Sequence, residues 1–155
     1  TIAKWEVTKP DGVLKWEFKN GKPRKVNYLG YPGNYGMIPR TLIAKDDGGD
    51  GDALDVIVLG EAMPRGTVVK ARVIGVLKLL DDGEVDDKIL AVLESSRLTS
   101  VKSPDEMNIK FPGILTIIKT WFESYKGPGK MKSNGFASRV EAIETIKAAN
   151  ASFGD

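Results

Sequence analysis

Three apolar runs rich in β-branched residues, at 53–59, 67–80 and 88–93, constrain this chain more than any other feature. Each is bounded by Gly and Asp clusters, the pattern of strands separated by turns, with no helical period between them. Upstream, Trp5 and Val7, then Leu14, Trp16 and Phe18, recur at period two around the turn signals Pro10-Asp11-Gly12 and Asn20-Gly21-Lys22-Pro23. The period changes in the last third. Ile114, Ile117, Ile118, Trp121, Phe122 and Tyr125 form a helical stripe after Pro112, ended by Gly127-Pro128-Gly129. Ser138 and Glu141 have the spacing of a capping box, and a second helix continues through Val140, Ile143 and Ile146.

Strands first and helices last predict an α+β fold: a small, closed, highly twisted OB-like β-barrel with two C-terminal covering helices. At 155 residues and 41% apolar content, the chain is expected to form one domain, 1–155.

The absent residues limit the chemistry. Without Cys there is no thiol nucleophile, disulfide or Cys-type metal site, which fits the cytoplasm. Without His, the Ser-His-Asp triad and the usual zinc ligand are excluded together. Carboxylate, Lys, Arg and Tyr chemistry remains, and oxygen ligands suit hard cations such as Mg2+ or Mn2+. A formal net charge of +2 gives no global field for nucleic acid or an anionic membrane. No apolar run has membrane-spanning length, and the N-terminus lacks a signal-like stretch, so the expectation is no nucleic-acid and no membrane partner.

The densest chemical signal is the acidic segment 46–55, which runs into Val56-Ile57-Val58-Leu59. Asp55 enters an apolar strand, where an unpaired carboxylate is costly to desolvate, so a cation is expected to compensate it. Asp50 and Asp52 project to one side of an extended chain, and three carboxylates can then surround one small volume. An EF-hand fails, because Ile57 stands where a bidentate Glu is required. A second cluster at 81–88 contains Asp82-Gly83, a good hairpin turn, and then Asp86, Asp87 and Lys88 at the mouth of the next strand.

Asp50-Gly51-Asp52-Ala53-Leu54-Asp55-Val56 resembles the Asp-x-Asp-x-x-Asp signature of soluble family I inorganic pyrophosphatases of prokaryotic type. Lys4-Trp5-Glu6, Tyr31-Pro32-Gly33-Asn34-Tyr35-Gly36, the 81–88 segment and Tyr125-Lys126 accompany it in order, so the resemblance covers nearly the whole chain. It implies hydrolysis of pyrophosphate to two orthophosphates by a multi-Mg2+ mechanism, with Mn2+ as a substitute and metal-activated water as nucleophile. It also implies metal ligation by Asp50, Asp55, Asp81 and Asp86, with Asp52 as general base. Lys4, Arg24, Tyr31, Lys88, Tyr125 and Lys126 become the substrate-binding set, supported by Glu6 and Tyr35. Bacterial members commonly form hexamers, which implies a homo-oligomer. The family's Glu-Ile-Pro strand, whose Glu serves an outer metal site, has no match in the given sequence, so the resemblance implies either residues upstream of it or an altered outer site, and Lys130 and Lys132 are left without a role.

Two other classes compete on the residues alone. A barrel with exposed aromatics and Lys could bind single-stranded nucleic acid. An acidic mouth opposes that reading. A silent or calcium-binding module would release no phosphate from pyrophosphate.

Overall fold

The computed structural model describes residues 2–9 and 11–154, the side chain of Asp47 excepted. Thr1, the expected turn residue Pro10 and the last residue of the expected 1–155 domain lie outside these.

The alternating N-terminal segment folds as short strands: β1 (Ile2–Ala3), β2 (Trp5–Val7), β3 (Leu14–Trp16), β4 (Phe18–Lys19), β5 (Lys22–Pro23) and β6 (Lys25–Val26). β2 pairs with β3, and β4 pairs with β5 across Asn20-Gly21, whose φ angles of 53° and 73° are those a two-residue hairpin turn demands. β1 closes onto β6.

The main sheet is built from β7 (Asn34–Met37), β8 (Asp55–Leu59), β9 (Ala71–Asp81), β10 (Glu84–Val85), β11 (Lys88–Leu93) and β12 (Met131–Ala137). β9 is its spine. β10 and β11 follow one edge of it, β12 follows the other, and β8 lies parallel to β11 before β7 completes the sheet. The pairings among the described residues form an open mixed sheet with separate two-stranded pairs, so the expected closure into a barrel is not shown. The α+β character holds.

Among the described residues are three α-helices: α1 (Pro104–Lys110) and α2 (Ile114–Ser124) before β12, and α3 (Arg139–Gly154) after it. α1 was not expected, although Ser103 caps it by accepting the Glu106 N–H at 3.1 Å, with Pro104 in its first turn. Ser138 accepts the Glu141 N–H in the expected place. β12 also escaped the sequence reading, since Lys132, Ser133, Asn134 and Gly135 give it little strand character. No described helix is long and apolar enough to cross a membrane.

Both faces of the sheet are buried, which explains the continuous apolar runs. On one face Ile57, Leu59, Leu77, Leu79, Leu90 and Val92 meet α1 and α2. On the other, Val56, Val58, Val76, Ile89 and Ala91 meet Ala142 and Ala149 of α3. Gly75 permits this packing at the centre: a Cβ there would stand 2.6 Å from Pro104 Cγ and 2.8 Å from the Ala137 carbonyl oxygen. By strand alternation, Asp55, Asp81, Asp86 and Lys88 share the face that packs on α2. There the apolar layer gives way to charge.

Candidate active site

β8 and β11 run parallel with Asp55 opposite Lys88, at the first residue of each strand. The Lys88 side chain is 2% exposed, and its ammonium donates to Asp55 at 2.6 Å and to Asp86 at 2.5 Å. The cation that Asp55 needed is therefore a lysine of the neighbouring strand. Burial works to lower the Lys88 ammonium, but Asp55 and then Asp86 outweigh it and hold it above its ordinary value. Burial, the largest influence on Asp86, raises its carboxyl against the pull of Lys88.

The Tyr35 hydroxyl, from β7, donates to the same Asp55 oxygen at 2.6 Å. Its ring stacks on Tyr31 at 4.4 Å and 2°; Tyr31 lies 4.7 Å from Trp121, which stacks on Tyr125 at 4.6 Å. This aromatic column joins β7 to α2. Burial pushes all three phenols up, Tyr125 to about 12, and Tyr35 is raised further by Asp55, to which it donates.

Beyond the column, the Lys126 ammonium pairs with Asp81. On the other side Glu17 binds Arg24 at 2.5 Å and Lys4 at 3.2 Å. Arg24 and Glu17 lie near enough to shift the Tyr31 phenol, and Arg24, Lys88, Asp86 and Asp81 all act on Tyr125. Lys4, Arg24, Tyr31, Tyr35, Asp55, Asp81, Asp86, Lys88, Tyr125 and Lys126 thus gather in one region. Glu17 was missed. It lies between Trp16 and Phe18, where no motif marks it, and only the Lys4 and Arg24 partnerships reveal it. Trp121 read as helix stripe, yet it is the middle of the column.

Asp50, Asp52 and Glu6 share no hydrogen bond or ion pair with this cluster among the described residues. Asp50 accepts the Asp52 N–H at 2.8 Å, an Asx turn, while Asp52 pairs with Lys9 at 2.7 Å. Glu6 and Asp52 line a shared surface hollow with Val7, Thr8 and Lys9. Among the described residues no hydrogen bond links Asp50 or Asp52 to Asp55 or Asp86, and no three carboxylates are grouped tightly enough to hold an ion unaided. Ammonium groups separate them instead. A second hollow, between Pro32, Leu59, Leu98 and Ile117, is lined by no ionisable side chain and lies outside the charged cluster.

The cluster is balanced in number: Glu17, Asp55, Asp81 and Asp86 face Lys4, Arg24, Lys88 and Lys126, with two cations on Glu17 and Lys88 shared by Asp55 and Asp86. Such a set can exchange partners. A ligand combining an anion with hard cations offers cations to the carboxylates and anionic oxygens to Lys and Arg, and leaves no charge orphaned.

Comparison with known proteins gives the same direction. The family described as inorganic pyrophosphatase matches residues 1–153. The mitochondrial inorganic pyrophosphatase of Saccharomyces cerevisiae is 34% identical over 172 residues, covering 95% of this chain and 56% of that protein. The Drosophila melanogaster inorganic pyrophosphatase is 36% identical, covering 92% and 46%. The chain spans about half the length of the curated relatives it matches. Among solved structures, an N-terminally truncated vacuolar soluble pyrophosphatase of Trypanosoma cruzi in complex with PPi superposes with TM-score 0.91 at 29% identity, covering 98% of this chain and 64% of that one. The Helicobacter pylori inorganic pyrophosphatase gives TM-score 0.80 at 31% identity, covering 99% and 86%. Relatives of both eukaryotic and bacterial origin therefore match.

Proposed function

This chain belongs to the inorganic pyrophosphatase family, and on that premise we propose that it hydrolyses inorganic pyrophosphate to two orthophosphates with divalent cations, Mg2+ foremost and Mn2+ as a substitute. The observation that carries the reading is the balanced cluster around Lys88, in which each carboxylate is matched by a cation suited to phosphate.

The donor set fits hard cations. Every candidate ligand is a carboxylate, and Asp55 and Asp86 already converge on one buried positive charge. Asp55, Asp81 and Asp86 would hold the cations, with Asp50 contributing from the adjoining loop. When bound, these ions neutralise phosphate charge and lower the pKa of water.

The chain's own residues do the rest. Lys4, Arg24, Lys88 and Lys126, released from their carboxylates, bind the phosphate oxygens, Arg24 in its planar fork and the lysines as point charges. Tyr31 and Tyr125 are kept as neutral phenols, so they donate hydrogen bonds without adding negative charge. Tyr35 orients Asp55 through its hydroxyl. Asp52 takes the proton of the attacking water as the oxygen–phosphorus bond forms and the bridging bond breaks toward the leaving phosphate.

A single domain over 1–155, a bacterial-type homohexamer and a cytoplasmic site are parts of the same proposal. The Helicobacter pylori and Neisseria gonorrhoeae chains, covered to 86% and 84%, support the bacterial comparison. Mitochondrial and chloroplastic relatives make the compartment a matter for localisation of the expressed chain.

The test is phosphate release from pyrophosphate, ATP and p-nitrophenyl phosphate, with magnesium and with EDTA. Magnesium-dependent release from pyrophosphate in strong preference to the other two is expected. Equal release from all three, or none from pyrophosphate, would contradict the proposal.

A further inference from the structure

Two acidic residues adjoin Lys88, and only one faces the cluster. The ladder between β9 and β10 places Val85 opposite Leu80, and the ladder between β9 and β11 places Lys88 opposite Leu77. Asp86 and Asp87 therefore lie opposite Leu79 and Lys78 in the same register without belonging to either strand. The Asp86 N–H donates to the Leu79 carbonyl at 2.9 Å, as a ladder would. The return bond is replaced: the Leu79 N–H donates at 3.1 Å to the side-chain oxygen Oδ1 of Asp87.

Asp87 is 5% exposed, and its other carboxylate oxygen pairs with the Lys78 ammonium. Strand alternation puts Asp87 and Lys78 on the α3 face, away from Asp86 and Lys88. A buried carboxylate there is costly unless something requires it, and an apolar residue would fit the surrounding core more cheaply. What it provides is a lock on the backbone between Asp86 and Lys88, whose side chains reach into the cluster on the opposite face.

We propose that Asp87 is a positioning residue for pyrophosphate hydrolysis, fixing Asp86 and Lys88 by substituting its carboxylate for the missing ladder acceptor at Leu79. The inference rests on the functional reading above. Lys78 serves as counter-ion; with its side chain 38% exposed, water can take over much of its part.

The experiment compares the wild-type chain with Asp87→Asn, Asp87→Leu and Lys78→Met, at a temperature well below the melting point of each. Partners that orient catalytic ligands alter affinity or activity by about 10- to 100-fold, so Asp87→Leu should lower kcat/KM for pyrophosphate by about that factor while remaining folded. Asp87→Asn retains an oxygen acceptor for the Leu79 N–H and should rescue most of the loss. Lys78→Met should lower the melting temperature with kcat/KM little changed. Amide hydrogen exchange supplies a readout independent of turnover: the Asp86 amide should exchange faster in Asp87→Leu and stay protected in Asp87→Asn.

A folded Asp87→Leu with wild-type kcat/KM and wild-type exchange would overturn the proposal. So would loss of activity only in proportion to the unfolded fraction, since that is structural support alone. Absence of phosphate release by the wild-type chain would instead defeat the functional reading, and the exchange comparison would still decide whether Asp87 fixes residues 86–88.

Discussion

Lys88 stands between Asp55 and Asp86, 2.6 Å from one and 2.5 Å from the other, with only 2% of its side chain exposed. One buried cation thus holds two segments, 50–55 and 81–88, that are distant in sequence and carry most of the acidic signal. Removing it leaves two carboxylates facing each other. Breaking a buried pair by deleting one partner costs about 3–5 kcal/mol, and the part exposure of Asp55 and Asp86 places Lys88→Met near the lower end. Urea unfolding at neutral pH should show a loss of about 3 kcal/mol, whereas a loss under about 1 kcal/mol would mean that the pair is dispensable.

Tyr35 joins the aromatic column to the ionic cluster through its bond to Asp55. A hydrogen bond to a charged group contributes about 1.5–3 kcal/mol, so Tyr35→Phe should destabilise the chain by about 2 kcal/mol while keeping the ring stack. A double-mutant cycle with Asp55→Asn checks the assignment. Additive effects of the two substitutions would break the proposed link.

Glu17 sets the acid side of the stability curve. Burial raises its carboxyl, but the bonds and charges of Arg24 and Lys4 outweigh burial, and the folded value lies below the ordinary 4.5. A depressed carboxyl stabilises above its ordinary pKa, and that stabilisation is lost as pH falls through the folded value. Stability measured against pH should therefore decline below about pH 4.5, and Glu17→Gln should flatten this part of the curve. Identical acid limbs for the two proteins would remove Glu17 from the account.

The phenols set the alkaline side. Tyr31, Tyr35 and Tyr125 are raised above 10, chiefly by burial, with Tyr125 near 12. Their folded forms stay neutral where unfolded tyrosine ionises, so the associated stability is present below pH 10 and lost as pH climbs through the folded values. Absorbance titration of the native chain should show delayed ionisation, recovered near the ordinary pKa in denaturant. Full ionisation of the native chain near pH 10 would contradict the packed column.

Much of this was legible in the sequence because burial leaves periodic traces. The runs around Ile57, Leu77 and Leu90 declared strands, and Trp121 and Phe122 declared α2. Asp55 declared a cationic partner because an ionised group in an apolar strand needs one. The partner's identity was hidden, since Lys88 reaches Asp55 only through a parallel pairing that no local pattern encodes. Glu17 and Asp87 were hidden for a related reason: each acts through residues that only the folded chain brings beside it. β12 was unreadable because Lys132, Asn134 and Gly135 acquire strand geometry from pairing with β9, not from propensity. The local partners of Asp50 and Asp52, an Asx turn and Lys9, also lay beyond extended-chain geometry.

The central claim is that Asp55 exchanges its lysine for a divalent cation when pyrophosphate is hydrolysed. Phosphate release at saturating magnesium, measured for the wild-type chain and for Asp55→Asn with the fold verified by circular dichroism, tests it most directly. The account predicts rapid release by the wild type and a loss of at least about a hundredfold in the variant. Comparable rates from the two folded proteins would contradict it.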